Sequence, residues 1–252
     1  MESKEEPNPK AMARNKISTS YGLIIYTIYR ARPIFLLTRR RDTFSYECIL
    51  RGMYSEDLLS EYISNTTKEE RHRLLQHDFD LLWKDLWVST RRRLYRAEMK
   101  RAKEHWDQSI EKIRALILSC PTVGRDIWEF PKGRIFVEET AQACALREFE
   151  EETNISSSLV SLVHDAGTFE DNYQGTDHKM YRSIYYLGYI PNGMNVKFEY
   201  KDCPHQVRNP YISDEVMDIQ WMDIEKATEM ITPSRRKVLN QVVDFLNSSY
   251  QD

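Results

Sequence analysis

The fold of this chain is decided by one stretch of its sequence, WEFPKGRIFVEETAQACALREFEEETNI, which occupies residues 128–155. Its aromatic beginning is typical of a strand, and Pro131 and Gly133 then predict a tight loop because both residue types interrupt regular structure. Thr140 is a residue type that caps helix N-termini, so we expect a helix over 141–153. Asn154 follows where a left-handed C-cap is expected, a conformation that asparagine tolerates.

The predicted helix carries three glutamates on one face. Glu148, Glu151 and Glu152 stand at three- and four-residue offsets, which bring side chains together on a helix. Ala145 and Phe149, four residues apart, face the other way and are expected in a core. Like charges at these offsets repel each other by roughly a few tenths of a kcal/mol per pair. A divalent cation, which prefers hard oxygen ligands, would offset that repulsion, and the alternative is a solvated acidic face.

The stretch resembles the signature of the Nudix hydrolases, in which Gly, Glu, an Arg-Glu pair and a Glu-Glu pair stand at fixed spacings. The positions in register are Gly133, Glu139, Arg147, Glu148, Phe149, Glu151, Glu152 and Ile155. One position departs from the signature, since Asn154 stands where the family has glycine, and asparagine adopts the same backbone conformation. The resemblance implies an α/β fold, a Nudix α/β/α sandwich with a mixed sheet.

The resemblance also implies a reaction and a set of metal ligands. Nudix enzymes hydrolyse a diphosphate linked to another group, with two or three Mg²⁺ or Mn²⁺ ions that neutralise phosphate charge and activate water. The implied metal ligands are the backbone carbonyl of Lys132 and the carboxylates of Glu148, Glu151, Glu152 and Glu215, and the alternative for Lys132 is a contact with phosphate. These four acids are also the candidate catalytic residues, one of them as general base.

Glu215 enters this set because the family adds an acid about six residues before a tryptophan, here Trp221, with Asp214 and Asp218 as alternatives. Gly133, Glu139 and Arg147 are expected to be structural. Glu139 and Arg147 pair only if the loop folds back on the helix, which would brace it.

The remaining pattern predicts a discontinuous Nudix domain. We expect a disordered tail over 1–16, the domain over 17–50 and 119–250, and a helical insertion over 51–118. A hairpin is predicted near Tyr21–Ile28 and Ile34–Thr38, with a third strand near Tyr46–Leu50. Later elements are predicted as strands at 127–130, 159–169, 180–190 and 216–222 and as a helix at 234–247 after Pro233.

The predicted insertion has two informative features. Residues 54–118 contain no glycine or proline, and Thr67 with Glu70 forms a capping box, so we expect two or three helices. Its second half concentrates positive charge, opposed only by Glu98, and Tyr95 and Trp106 are interleaved with it. A basic, aromatic helix suits RNA, whereas a solvated face, a partner surface or a homodimer surface is the alternative. The candidate RNA-binding residues are Arg91, Arg92, Arg93, Arg96, Lys100, Arg101 and Lys103.

Composition excludes several classes of protein. The chain has 252 residues and a net charge of −3, with no apolar run long enough to span a membrane and no apolar secretory leader. The four cysteines have no metal-ligand spacing, so we expect reduced thiols, no zinc site and a cytosol-like compartment.

A closer resemblance covers most of residues 20–247. The segments Thr66–Arg71 and His77–Trp87, and the order of hairpin, insertion, acidic helix and Glu before Trp, resemble the viral Nudix mRNA-decapping enzymes of large cytoplasmic DNA viruses, the African swine fever virus type. That resemblance implies a cytoplasmic enzyme, in the host cytoplasm if viral, that releases 7-methyl-GDP and 5′-monophosphate RNA from capped mRNA.

A cap-binding enzyme also needs an aromatic face for the methylated base, because a cationic purine stacks well on π systems. The candidates are Tyr173, Tyr181, Tyr185 and Phe136. The alternatives are a Nudix pyrophosphohydrolase of small substrates, such as diphosphoinositol polyphosphates or nucleoside diphosphate derivatives, and a non-catalytic RNA-binding protein on a Nudix scaffold.

Overall fold

The computed structural model describes residues 17–87, 93–175, 179–193 and 215–249. The tail predicted over 1–16 lies outside the described residues, as do Arg91, Arg92, Cys203 and Asp214. Arg93 is described only as the first residue of its helix.

Within these residues, eight strands form one mixed sheet. They are β1 (Ser18–Tyr29), β2 (Arg32–Arg40), β3 (Trp128–Glu129), β4 (Lys132–Gly133), β5 (Ser161–Leu162), β6 (Thr168–Gln174), β7 (Met180–Tyr189) and β8 (Val216–Met222). β1 is central and runs parallel to β7 but antiparallel to β2, and β8 pairs antiparallel with β2. The two short strands β3 and β4 lie along β2 and β1, so the stretch that carries the signature begins inside the sheet.

The sheet is covered by helices on both faces. The described helices are α1 (Phe44–Arg51), α2 (Leu59–Ser64), α3 (Lys68–Gln76), α4 (Phe79–Leu86), α5 (Arg93–Ser119), α6 (Ala141–Thr153), α7 (Ile224–Met230) and α8 (Pro233–Ser249). Alternate residues of β1 point to opposite faces: Leu23 packs with Phe149 of α6, and Ile24 packs with Leu239 of α8. The result is the α/β/α sandwich that the sequence predicts.

Helices α1–α5 have a hydrophobic core of their own, which includes Tyr46, Leu74, Trp83 and Trp106. The entry of this helical segment is tied down by Glu70, which accepts hydrogen bonds from the backbone N–H groups of Thr43 at 2.6 Å and Thr67 at 2.8 Å. The second of these bonds belongs to the predicted capping box, which is confirmed.

Buried Arg71 holds the exit of the same segment. Its guanidinium donates to the carbonyls of Ile63, Ile117, Cys120 and Pro121 at 2.6–3.3 Å. A guanidinium presents five donors in a rigid fork, so one side chain satisfies carbonyls at the end of α5 and on α2 together. The two ends of the insertion are thereby fixed relative to each other.

Three predictions about secondary structure are wrong. The segment Tyr46–Leu50 is helical, because Thr43 caps α1 by accepting from the Tyr46 N–H, and the apolar residues then face the helical core. Residues 54–118 contain four described helices, α2–α5, instead of two or three, and the helical core also includes α1, which precedes the predicted insertion. The strand predicted over 159–169 is replaced by two short 3₁₀ turns and the two-residue β5, and β6 starts only at Thr168. Helix α7 was not predicted.

None of the helices in the described ranges is long and apolar enough to cross a membrane. The described cysteines, Cys48, Cys120 and Cys144, form no disulfide.

Candidate active site

Helix α6 has the bounds that the sequence predicts, and both of its caps are confirmed. The hydroxyl of Thr140 accepts from the Ala143 N–H at 3.2 Å. Asn154 is left-handed at φ 54° and ψ 24°, and its N–H reaches the Glu150 carbonyl at 2.8 Å. Ala145 and Phe149 are fully buried. Because these two residues fix the rotation of the helix, its acidic face is turned away from the core.

Arg147 braces the loop before the helix. Its Nε and Nη2 donate to the two carboxylate oxygens of Glu139 at 2.8 and 3.0 Å, and Nη2 also reaches the Arg134 carbonyl. Glu139 in turn accepts from the Phe136 N–H at 3.0 Å. The hydrogen bonds from Arg147 and Phe136 lower the pKa of Glu139 to about 2. The predicted fold-back of the loop is confirmed.

The same guanidinium reaches the acidic face. Nη1 of Arg147 lies 2.7 Å from Oε1 of Glu148 and 3.0 Å from Oε2 of Glu151. One cation therefore bridges three carboxylates, and it offsets the repulsion that the sequence spacing creates.

Glu148 is held against the backbone of Gly133. A Cβ at position 133 would lie 2.0 Å from the carboxyl carbon of Glu148, so the carboxylate occupies the space of the missing side chain. Burial raises the pKa of Glu148, with the charges of Glu151 and Glu215 adding to the rise. Glycine at position 133 is thus required by the close approach of the Glu148 carboxyl group.

Glu152 and Glu215 complete the acidic group. Burial raises the pKa of Glu152 well above its usual value, against the opposing charge of Lys132, while Glu148 and Glu215 raise it further. Glu215 lies next to β8, and its carbonyl accepts from the Arg41 N–H at 3.0 Å. The predicted acids from α6 and from beyond the helix therefore lie within electrostatic range of one another.

These acids are not drawn together as a preformed metal cage. Among the residues that the structure describes, no group of three or more His, Cys, Asp or Glu side chains has metal-binding geometry. Two of the carboxylates, those of Glu148 and Glu151, are held by ion pairs with Arg147. The donor set nevertheless fits Mg²⁺ or Mn²⁺, since both prefer carboxylate and carbonyl oxygens.

The side chain of Lys132 is engaged inside the protein. Its Nζ lies 2.7 Å from Oε2 of Glu129, and only 9% of the side chain is exposed. Two contacts are expected for Lys132: its side chain with phosphate, or its backbone carbonyl with metal. The ion pair with Glu129 engages the side chain, so the carbonyl is the group that this pair leaves available.

Glu129 is the centre of a buried network that sequence reasoning missed. Its carboxylate pairs with Lys132, with Arg235 of α8 at 2.8 Å, and with Arg40 at 3.5 Å. Burial opposes ionisation, but the three positive charges outweigh it and hold the pKa of Glu129 well below its usual range. The available signal was an acid placed between two aromatic residues, Trp128 and Phe130, which are both buried.

The four aromatic candidates for cap stacking differ in how much of each ring is exposed. Tyr185 is fully buried in the sheet core and offers no face to a base, so this prediction is wrong. Phe136 is 62% exposed, with the Arg147 guanidinium 4.0 Å from its ring centre. Tyr173 and Tyr181 are a cross-strand pair of half-buried, stacked rings. Their ring centres lie 5.6 Å apart, and the angle between the ring planes is 16°.

Part of the predicted basic face lies on the surface of α5. Arg96, Lys100 and Arg101 are exposed, and half-buried Lys103 pairs with Asp107 at 3.1 Å. Trp106 is only 5% exposed and belongs to the helical core, so its predicted role as an interleaved surface aromatic is wrong.

Comparison with known proteins identifies the class to which this fold and site belong. The Nudix domain pattern matches residues 115–242, just over half of the chain. The chain therefore belongs to the Nudix family and is a hydrolase of phosphoanhydrides.

The names of two relatives describe an activity on the mRNA cap. The mRNA-decapping protein g5R of African swine fever virus is 27% identical over 240 residues, which span 89% of this chain and 92% of the viral protein. The m7GpppN-mRNA hydrolase of Saccharomyces cerevisiae is 28% identical over 112 residues, 44% of this chain and 10% of the yeast protein. Among solved structures, a C. elegans Ap4A hydrolase is 14% identical to this chain, with a TM-score of 0.49. The superposition covers 92% of this chain and 99% of the C. elegans chain.

Proposed function

We propose that this Nudix hydrolase is a divalent-metal-dependent mRNA-decapping enzyme that releases 7-methyl-GDP and 5′-monophosphate RNA. The proposal is carried by one observation: the similarity to the viral decapping protein extends over 89% of the chain, across the helical segment as well as the acidic helix. A cytoplasmic site of action is part of the same proposal, because capped mRNA is the substrate.

The acidic face of α6 is the proposed reaction centre. Glu148, Glu151 and Glu152, with Glu215 and the Lys132 carbonyl, would hold two or three Mg²⁺ or Mn²⁺ ions. Bound ions would neutralise the charge of the diphosphate and favour ionisation of the attacking water. Arg147 holds Glu148 and Glu151 in place through its brace on the loop, and the acids share one face of α6, away from Phe149, which is fixed in the core.

Hydrolysis exchanges one phosphorus–oxygen bond for another. The water oxygen forms a bond to phosphorus of the diphosphate, the anhydride bond breaks, and the released phosphate oxygen becomes a terminal group of one product. A carboxylate accepts the proton of the water, and Glu215 is the proposed base because its charge acts on Glu148 and Glu152 although it lies outside α6.

The rest of the substrate is proposed to lie on two further surfaces. Arg96, Lys100, Arg101 and Lys103 of α5 would contact RNA phosphates, and Arg91, Arg92 and Arg93 remain candidates from the sequence. Tyr173, Tyr181 and Phe136 are the remaining candidates for stacking on the methylated base. Each of these three rings is exposed or half-buried.

A product assay on cap-labelled RNA with Mn²⁺ tests the reaction centre. Glu151→Gln should lower release of 7-methyl-GDP by more than the roughly 10–100-fold that loss of an outer-shell partner costs. The matched control is Glu150→Gln, which removes the charge of the neighbouring glutamate. Glu150 accepts from the backbone and side chain of Ser157 at 3.0 and 2.7 Å, outside the acidic face. Near wild-type release by Glu151→Gln would show that the metal assignment is wrong.

A length series of capped RNAs tests the substrate. A decapping enzyme should turn over long capped RNA with a higher kcat/KM than free cap dinucleotide, since the basic helix adds contacts only for the polymer. Preference for the dinucleotide, or for a diphosphoinositol polyphosphate in the same assay, would instead indicate a small-substrate Nudix enzyme. Binding of RNA without any release would indicate a non-catalytic scaffold.

A further inference from the structure

A second cleft lies apart from the acidic helix, between the helical segment and the β6–β7 hairpin. Its volume is about 580 Å³, within the roughly 300–1,000 Å³ of small-molecule sites. The cleft is lined by the end of α1 and the loop after it, by α2 and α5, and by Lys179, which lies next to β7. It shares none of its lining residues with the acidic site.

One wall of the cleft is aromatic. Tyr54 lies 6.2 Å from Tyr62 between ring centres and 4.9 Å from the ring of His105, which meets it edge-on at 66°. Gly52 is left-handed at φ 60°, and a Cβ there would lie 2.9 Å from the His105 ring, so glycine allows the imidazole to pack against this turn. Nε2 of His105 is buried and has no hydrogen-bond partner within the described ranges.

The cleft also contains positive charge. Arg51 is already paired through Nε and Nη2 with Glu98 at 2.9 and 3.0 Å, so it contributes little net charge. Arg101 of α5 and Lys179, next to β7, are both exposed and both line the cleft. A ligand with negative charge would therefore contact the helical segment and the hairpin at the same time.

We propose that this cleft binds a single nucleotide of an RNA strand, with the base against Tyr54 and the phosphate between Arg101 and Lys179. Aromatic faces beside cations are the combination that binds single-stranded nucleic acid, because every base has a π face and every linkage has a charge. A basic face alone would bind a polyanion through charge and would not need an aromatic wall. The identification of that RNA as the body of the capped transcript rests on the proposed function.

The site has a consequence for the rest of the molecule. Lys179 belongs to the hairpin whose strands carry Tyr173 and Tyr181. A nucleotide held between Arg101 and Lys179 links the helical segment to that hairpin, and it makes the cleft a discrete subsite of the RNA path.

The test measures binding of short uncapped 5′-monophosphate RNA by fluorescence anisotropy, without divalent metal. Arg101→Ala, Lys179→Ala and Tyr54→Leu should each weaken binding by about tenfold. The matched control is Arg114→Ala on the same helix, an exposed arginine that pairs with Glu111 at 3.1 Å and does not line the cleft. Its affinity should equal that of the wild type. Because Tyr54 is half-buried, thermal unfolding of Tyr54→Leu is measured alongside, and exposed Lys179→Ala provides an independent variant.

Two results would overturn the proposal. If Arg114→Ala weakens binding as much as Arg101→Ala and Lys179→Ala, the attraction is a property of the whole helix. If an abasic RNA of equal charge binds as tightly as the normal strand to the wild type, the cleft recognises phosphate without a base. Neither measurement involves the cap or catalysis, so absence of decapping activity would leave this result intact, and loss of the subsite would leave the reaction assignment intact.

Discussion

Glu129 and Arg235 are 106 residues apart in the chain and meet in a buried ion pair, with 2.8 Å between Oε2 and Nη2. The pair joins β3, which leads into the signature loop, to α8 on one face of the sheet. Asp171 of β6 lies 3.8 Å from Nε of the same arginine and is only 2% exposed. The strand that leads into the loop before α6 is thus held by charge as well as by packing, through an arginine of α8 that also lies near β6.

Glu129→Gln tests the value of this anchor. Removing one partner of a buried ion pair costs about 3–5 kcal/mol, because the remaining charges are left uncompensated. The pKa of Glu129 is lower in the folded protein than in the unfolded chain. Its contribution is therefore present above the unfolded value, about 4.3, and is lost as the pH falls toward the folded value. Urea unfolding should show a large difference between variant and wild type at neutral pH that narrows in acid. A difference that stays constant with pH would contradict the assignment.

Gly133→Ala tests the close approach of Glu148. The added Cβ would overlap the carboxyl group, so Glu148 must move, and a misplacement of about 1 Å costs roughly a hundredfold in rate. We expect that loss in kcat/KM for any substrate. The control is Gly167→Ala, where no atom lies within 4 Å of the added carbon and the left-handed φ of 65° costs stability alone. Full activity of the Gly133 variant would mean that Glu148 does not need its present position.

Arg147→Lys tests the brace. An ammonium keeps the charge but lacks the fork that reaches both oxygens of Glu139, so the loop and the two acids lose their common support. The concentration of Mn²⁺ needed for half-maximal activity should rise by about 10–100-fold. Arg182→Lys is the chemical control, since Arg182 makes a similar two-point pair with exposed Glu170 on the neighbouring strand. Equal metal requirements in the two variants would refute the role of Arg147.

The position at which the chain departs from the family signature gives a test of backbone conformation. Asn154→Gly should be as stable as the wild type within about 1 kcal/mol, because both residue types accept the left-handed cap. Asn154→Val should cost about 1–2 kcal/mol in the free energy of unfolding, since a side chain branched at Cβ clashes in that conformation. Denaturant titration of the two variants makes the comparison, and a stable valine variant would show that the cap relaxes.

The sequence by itself determined the elements whose causes are local. The bounds of α6, the Thr140 cap, the left-handed Asn154 and the Arg147–Glu139 pair all depend on residues within one short stretch. Capping, helical periodicity and turn conformation act over a few residues, so their pattern is readable without the fold. The family membership follows from the same stretch, because its spacing is fixed by that local geometry.

Only the tertiary structure decided which side chains meet across the chain. Tyr185 lies in a strand pattern that suits either a surface or a core, and its burial depends on how the sheet is covered. Tyr46–Leu50 favours a strand by composition, yet the Thr43 cap and the helical core of the insertion make it a helix. The partners of Glu129 lie on β2, β4 and α8, and the cleft between Arg101 and Lys179 joins two segments distant in sequence. Burial and ion pairing across such distances depend on the whole packed molecule, and no local pattern encodes them.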